Sequence, residues 1–164
     1  MTLAEQASIL LEAIESELLQ PADIVRWADG ILVAMENPPA WIIDVSTVHP
    51  PDLEDVVRQL REHASALPVR RQVQVIVLAH DAGLLSLRDT LPKLFRVTIL
   101  ERGDRSLDER DKRLVEALVD WDFQEDLDVI EPSLQVRLAA LFREYLTDAQ
   151  EMAAVLGPKF RKAI

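Results

Sequence analysis

The sequence of 164 residues predicts an all-α fold, a compact bundle of short amphipathic helices, and three observations carry the prediction. Residues that cap or begin helices recur along the chain. Between them, apolar side chains return every three or four positions, the spacing of one helix face. Apolar residues make up 49% of the chain but aromatics only 5%, and Leu, Val, Ala and Ile dominate, a palette that suits helices packed on one another.

Taken in order, Thr2 and Glu5 have the spacing of a capping box, and Leu3, Ala7, Leu10, Ile14 and Leu18 follow on one face. Pro21 suits a first helical turn, where its missing N–H costs nothing, and a second helix is expected from Asp23 to Met35. Pro38 and Pro39 then break the helix. Trp41, Ile42, Ile43 and Val45 form a compact apolar turn after them, close enough to Trp27 for the two indoles to meet. This corner is expected to pin the N-terminal hairpin to the bundle, with Trp41 substantially buried, rather than to serve as a ligand platform. After Pro51, a helix from Leu53 to Leu67 turns Leu53, Val56, Val57, Leu60 and Ala64 inward and Glu54, Asp55, Arg58, Arg61 and Glu62 outward. His63 on this helix has no evident partner.

The middle of the chain admits two readings. Residues 72–79 run Q-V-Q-V-I-V-L-A, and 41–48 and 95–100 are also strand-like by propensity, so an α/β fold with three strands is the alternative. Against it, Val69, Val73, Ile76, Val77, His80 and Leu84 lie on one helical stripe between Pro68 and Gly83, and the helical reading is preferred. Further on, Ser106 with Glu109 and Thr147 with Gln150 look like capping boxes, and Pro132 like another first-turn proline. Leu107, Leu114, Leu118 and Trp121 share a face, as do Leu134, Leu138, Leu141, Phe142 and Tyr145. Gly157 marks a stop. One helical domain is expected over 1–157, with a basic, frayed C-terminal tail over 158–164 containing Lys159, Arg161 and Lys162.

Composition excludes several function classes. There is no cysteine, which removes disulfides, thiolate nucleophiles and cysteine-ligated metals. No apolar run approaches the ~20 residues that span a bilayer, and the first eleven residues carry no Lys or Arg, so the expectation is a soluble protein of the cytoplasm with no membrane partner. Acidic residues outnumber basic ones 29 to 18, for a net charge of −11. Such a surface repels phosphate backbones, so no nucleic acid is expected as a partner, and a basic protein is the natural one. A homo-oligomer is the other option.

The acid is densest between Asp120 and Glu131, which reads D-W-D-F-Q-E-D-L-D-V-I-E. Asp120, Asp122, Glu125, Asp126, Asp128 and Glu131 are the candidate partner-binding residues. Their spacing partly matches a calcium loop, but the sixth position, which needs a sharp turn that glycine allows, is Glu125, and the fifth is Gln124. A solvated connection between two helices, with Leu127 and Ile130 turned inward, is the preferred reading.

The pair His80-Asp81 in V-L-A-H-D-A-G-L-L resembles the central pair of the HD-domain metal-dependent phosphohydrolases, which are all-helical. That resemblance implies His49, His80, Asp81 and Asp120 as metal ligands, with the metal lowering the pKa of a water that attacks phosphate. It covers only a few residues. His49 stands before Pro50-Pro51 in an expected turn, and Ala82-Gly83-Leu84 lacks the lysine common after the pair. No nucleophile elbow, phosphate-cradling loop or dinucleotide fingerprint is present. The sequence therefore points to an acidic protein-interaction module without catalysis and without a cofactor, either an immunity- or antitoxin-like inhibitor or an oligomeric scaffold. The phosphohydrolase is the alternative.

Overall fold

The structure, a computed structural model, describes residues 1–48, 52–100, 107–122 and 130–160. Nine α-helices, one π-helical turn and no strand occur among the described residues. The helices are α1 (Leu3–Glu15), α2 (Pro21–Ala34), α3 (Ala40–Ser46), α4 (Leu53–His63), α5 (Val69–Asp81), α6 (Leu87–Phe95), α7 (Glu109–Asp122), α8 (Pro132–Leu146) and α9 (Gln150–Leu156), with the π turn at Arg96–Leu100 after α6. The described residues sort into two compact units, one of 1–67 together with 151–160, the other of 68–150.

In the first unit α1 packs on α4 and α2 on α3, with α2 and α3 also reaching α4. The Thr2 hydroxyl accepts from the Glu5 amide at 3.2 Å, and the Thr2 amide donates to Glu5 Oε2 at 2.7 Å, completing the expected capping box. Ala7, Leu10 and Ile14 are buried on the stripe read from the sequence. Ser8 ties the far end of α4 to this helix: its Oγ donates to the Ser65 carbonyl at 2.8 Å and accepts the Ser65 amide at 2.9 Å. The start of the basic tail is docked rather than frayed. Phe160 is fully buried, and Lys159 Nζ lies 3.1 Å from Asp23 Oδ2.

The end of α1 is made in an unusual way. Glu17 takes a left-handed conformation, φ 63°, while its amide donates to the Ile14 carbonyl at 3.0 Å and the Leu18 amide to the Ala13 carbonyl at 2.8 Å. These are the two bonds of a Schellman motif, whose left-handed position usually carries glycine. At the end of α5 the same motif has Gly83 at that position, φ 74°, with the Gly83 amide on the His80 carbonyl and the Leu84 amide on the Ala79 carbonyl, both at 2.9 Å.

The second unit is built on α5, which packs against α6, α8 and the π turn. Every residue from Val73 to Ala79 is buried. That is why 72–79 looks like a strand: a helix covered on all sides needs no polar face, and its apolar run loses the periodicity of an amphipathic one. Gln74, the polar residue inside this run, is satisfied by donating its side-chain amide to the Tyr145 carbonyl at 2.9 Å. The α/β alternative is thus incorrect. Residues 72–79 belong to α5, 41–46 belong to α3, and 95–100 close α6 and form the π turn, where Thr98 Oγ1 donates to the Leu94 carbonyl at 2.7 Å. Strand propensity does not decide the local structure in any of the three.

Two of the expected starts also differ. Ser106 lies outside the described residues, and it is Asp108 whose carboxylate takes the Asp111 amide, at 2.8 Å, at the start of α7. Thr147 caps the end of α8 instead of beginning α9, its hydroxyl donating to the Arg143 carbonyl at 3.1 Å. Pro21 and Pro132 do open α2 and α8. No helix among the described residues is long and apolar enough to cross a membrane.

Candidate functional site

Of the acidic run, Asp120 and Asp122 form the last turn of α7 and Glu131 precedes α8; Glu125, Asp126 and Asp128 lie outside the described residues. The Asp120 carboxylate is held by the Arg137 guanidinium of α8, while Asp122 and Glu131 are exposed. His80 stands in the last turn of α5, its Nδ1 3.1 Å from the Leu85 carbonyl and its ring edge-on to Phe142 at 5.4 Å between centroids. Asp81 beside it is exposed, and His49 lies outside the described residues. Among the described residues, no group of three or more His, Asp or Glu side chains is placed to hold a metal, so His80, Asp81 and Asp120 are not brought together as ligands.

What the first unit does bring together is an open groove of about 490 Å³ between the end of α1 and the start of α4. Ile14, Leu53 and Val57 supply its apolar surface, and Glu15, Glu17, Asp52 and Glu54 its acidic one. Each part has a local cause. The Schellman turn after α1 brings Glu17 to the groove one residue beyond the helix cap. On the other side, Asp52 caps α4 by accepting the Glu54 amide at 2.9 Å and the Asp55 amide at 3.3 Å, which fixes Leu53 as the first helical residue. The sequence pattern turns Leu53 inward, yet it is 54% exposed, while Val56 and Leu60 further along α4 are fully buried. Among the described residues, Arg61 is the cation in the lining and its guanidinium meets Glu15 at 2.6 Å, so Glu17, Asp52 and Glu54 carry no ion pair there beside an apolar floor.

A second feature of this unit is an aromatic column. Trp27 of α2 and Trp41 of α3 lie 6.0 Å apart between ring centroids, tilted by 35°, and His63 of α4 stacks on Trp41 at 4.7 Å and 16°. The meeting of the indoles was legible from the sequence; the role of His63 was not. Trp41 is half-buried, and Trp27 Nε1 donates to Gln6 Oε1 of α1 at 3.0 Å. Four helices are joined through these side chains, a structural arrangement.

Fold and groove together define an all-helical protein with an acidic-rimmed, apolar-floored surface groove. Comparison with protein-family models, with curated proteins and with solved structures gives no match.

Proposed function

We propose that the protein is a non-catalytic interaction module that takes a basic amphipathic segment of a partner protein into the α1–α4 groove. The observation that supports this most is Glu17, a carboxylate held at a left-handed backbone position on the groove where glycine would be cheaper. A strained acidic residue beside an exposed leucine suits a ligand that carries both Lys or Arg and an apolar side chain.

The energetics follow from the parts. Covering the exposed half of Leu53 contributes about 1 kcal/mol, and each rim carboxylate adds little to affinity while it stays wet. The charge acts mainly on the encounter: the net −11 of the chain and the groove carboxylates draw in a basic partner over a Debye length and repel an acidic one. An inhibitor of the immunity or antitoxin type, covering a basic surface of its target, uses both contributions. An oligomeric scaffold fits less well, because a second copy is as acidic as the first.

The test is a titration with a short amphipathic Leu/Lys helix as the probe, against the same helix with Glu for Lys. The Lys form should bind saturably and the Glu form should not, and Leu53→Asp together with Glu54→Lys should abolish binding while leaving the thermal transition in place. Equal binding of both helices, or retention by the double variant, sinks the proposal.

A further inference from the structure

The first unit holds a second concavity that the docking of a basic partner does not use. It is a cleft of about 360 Å³ between α1, α2 and α9, within the size range of small-molecule sites. Leu10, Leu19, Trp27, Ile31, Val155 and Leu156 make it largely apolar. Gly30 also lines it, in the interior of α2, where glycine costs roughly 1 kcal/mol relative to alanine. No packing explains that cost: a Cβ built on Gly30 would meet no atom within 4 Å. A side chain at this position would enter open space beside the cleft.

The polar groups at its edge have the opposite sign from the rest of the molecule. Asp23 is the carboxylate in the lining, and it is bonded both by Arg26, at 3.1 Å, and by Lys159, at 3.1 Å, leaving a local excess of one positive charge. The Arg26 side chain is 69% exposed and Lys159 50% exposed, so both reach solvent beside the opening. On the wall, Gln6 uses its amide oxygen for Trp27 Nε1, and its amide nitrogen has no partner among the described residues. An apolar trough with a cationic lip on an acidic protein is complementary to one kind of small molecule.

We propose that this cleft binds a monomeric amphiphilic carboxylate, its hydrocarbon or aryl body lying across Gly30 against Trp27 and its head group at Arg26 and Lys159. The head shares the two cations with Asp23, and the Gln6 amide is within the same wall to donate to it. Binding exchanges the water over Trp27 and Ile31 for hydrocarbon contact, which is the larger contribution, while the lip selects the sign of the head.

Chain-matched octanoate, octanol and octylammonium are the probes, followed through the Trp27 indole N–H resonance and by calorimetry. Octanoate should shift that resonance saturably and bind about tenfold more tightly than octylammonium, a preference that Arg26→Gln together with Lys159→Gln removes. Gly30→Leu, which adds a side chain into open space and improves helix propensity, should keep or raise the melting temperature and abolish octanoate binding. Equal binding of the three probes, full binding by Gly30→Leu, or no saturable shift overturns the proposal. Vesicles of an anionic phospholipid form the last arm: binding to them without binding to octanoate would mean a membrane-facing patch and would equally overturn it. None of these outcomes bears on the Leu/Lys helix, so the two sites fail or stand separately.

Discussion

Replacing Glu17 by glycine should stabilise the fold and weaken partner binding at once. The residue sits at φ 63° with both Schellman bonds made through its backbone and that of Leu18, bonds that glycine would keep. Its exposed side chain makes no hydrogen bond or ion pair among the described residues, so truncation removes no internal contact. A left-handed conformation costs an L-residue about 1–2 kcal/mol, and glycine recovers this but returns roughly 0.5–1 kcal/mol through the larger freedom of its unfolded chain. The net expectation is a gain of about 0.5–1 kcal/mol, read as a higher urea midpoint with an unchanged m-value. The reciprocal change, Gly83→Ala at φ 74°, should cost about 1 kcal/mol, since it places a Cβ in the same kind of turn. If Glu17→Gly lowers the midpoint, the carboxylate contributes to folding and the argument that it is kept for binding is wrong. If it raises the midpoint but leaves the affinity for the Leu/Lys helix untouched, the strain has another cause.

Three further outcomes are expected. Trp41→Ala should destabilise by about 2–3 kcal/mol in urea unfolding, less than for a fully buried tryptophan because the residue keeps some exposure, yet substantial because its packing on both Trp27 and His63 is removed; a midpoint equal to wild type would contradict a structural role for the column. Tyr145 is fully buried, and burial, followed by the 2.5 Å bond to Asp111 and its charge, pushes its hydroxyl well above the ordinary value of 10.0, so its contribution is complete below pH 10 and declines above it as the unfolded chain ionises. Tyr145→Phe should cost about 1–3 kcal/mol near neutrality and flatten the alkaline fall in stability, and an unchanged alkaline slope would refute the assignment. His80→Ala should leave the metal content of the purified protein unaltered, because His80 faces the Leu85 carbonyl and Phe142; stoichiometric Mn, Fe or Zn that disappears in this variant would support the phosphohydrolase reading instead.

Features governed by a few neighbouring residues were legible in the sequence. The capping box at Thr2, the prolines opening α2 and α8, and the turn at Gly83 each depend on local backbone chemistry and stand where their residues put them. The α5 segment was ambiguous for a physical reason: total burial erases the polar face that distinguishes a helix from a strand. The groove was not legible, because it exists only where Glu17 and Leu53, far apart in the chain, are brought together by the packing of α1 on α4. His63 is a similar case, since its stacking on Trp41 needs α3 and α4 to meet. The local acid count drew attention to 120–131, whereas the feature that suits a partner is acid beside exposed hydrocarbon, a juxtaposition that only the fold creates.

The most direct test of the account is a chemical-shift map of the protein titrated with the amphipathic Leu/Lys helix. Saturable shifts of the Ile14, Leu53 and Val57 methyl groups, with an association rate that falls steeply as salt is raised, are the predicted result. Shifts centred on Asp122 and Glu131 with those methyl groups unmoved would place the interaction on the acidic run and contradict the assignment of the groove.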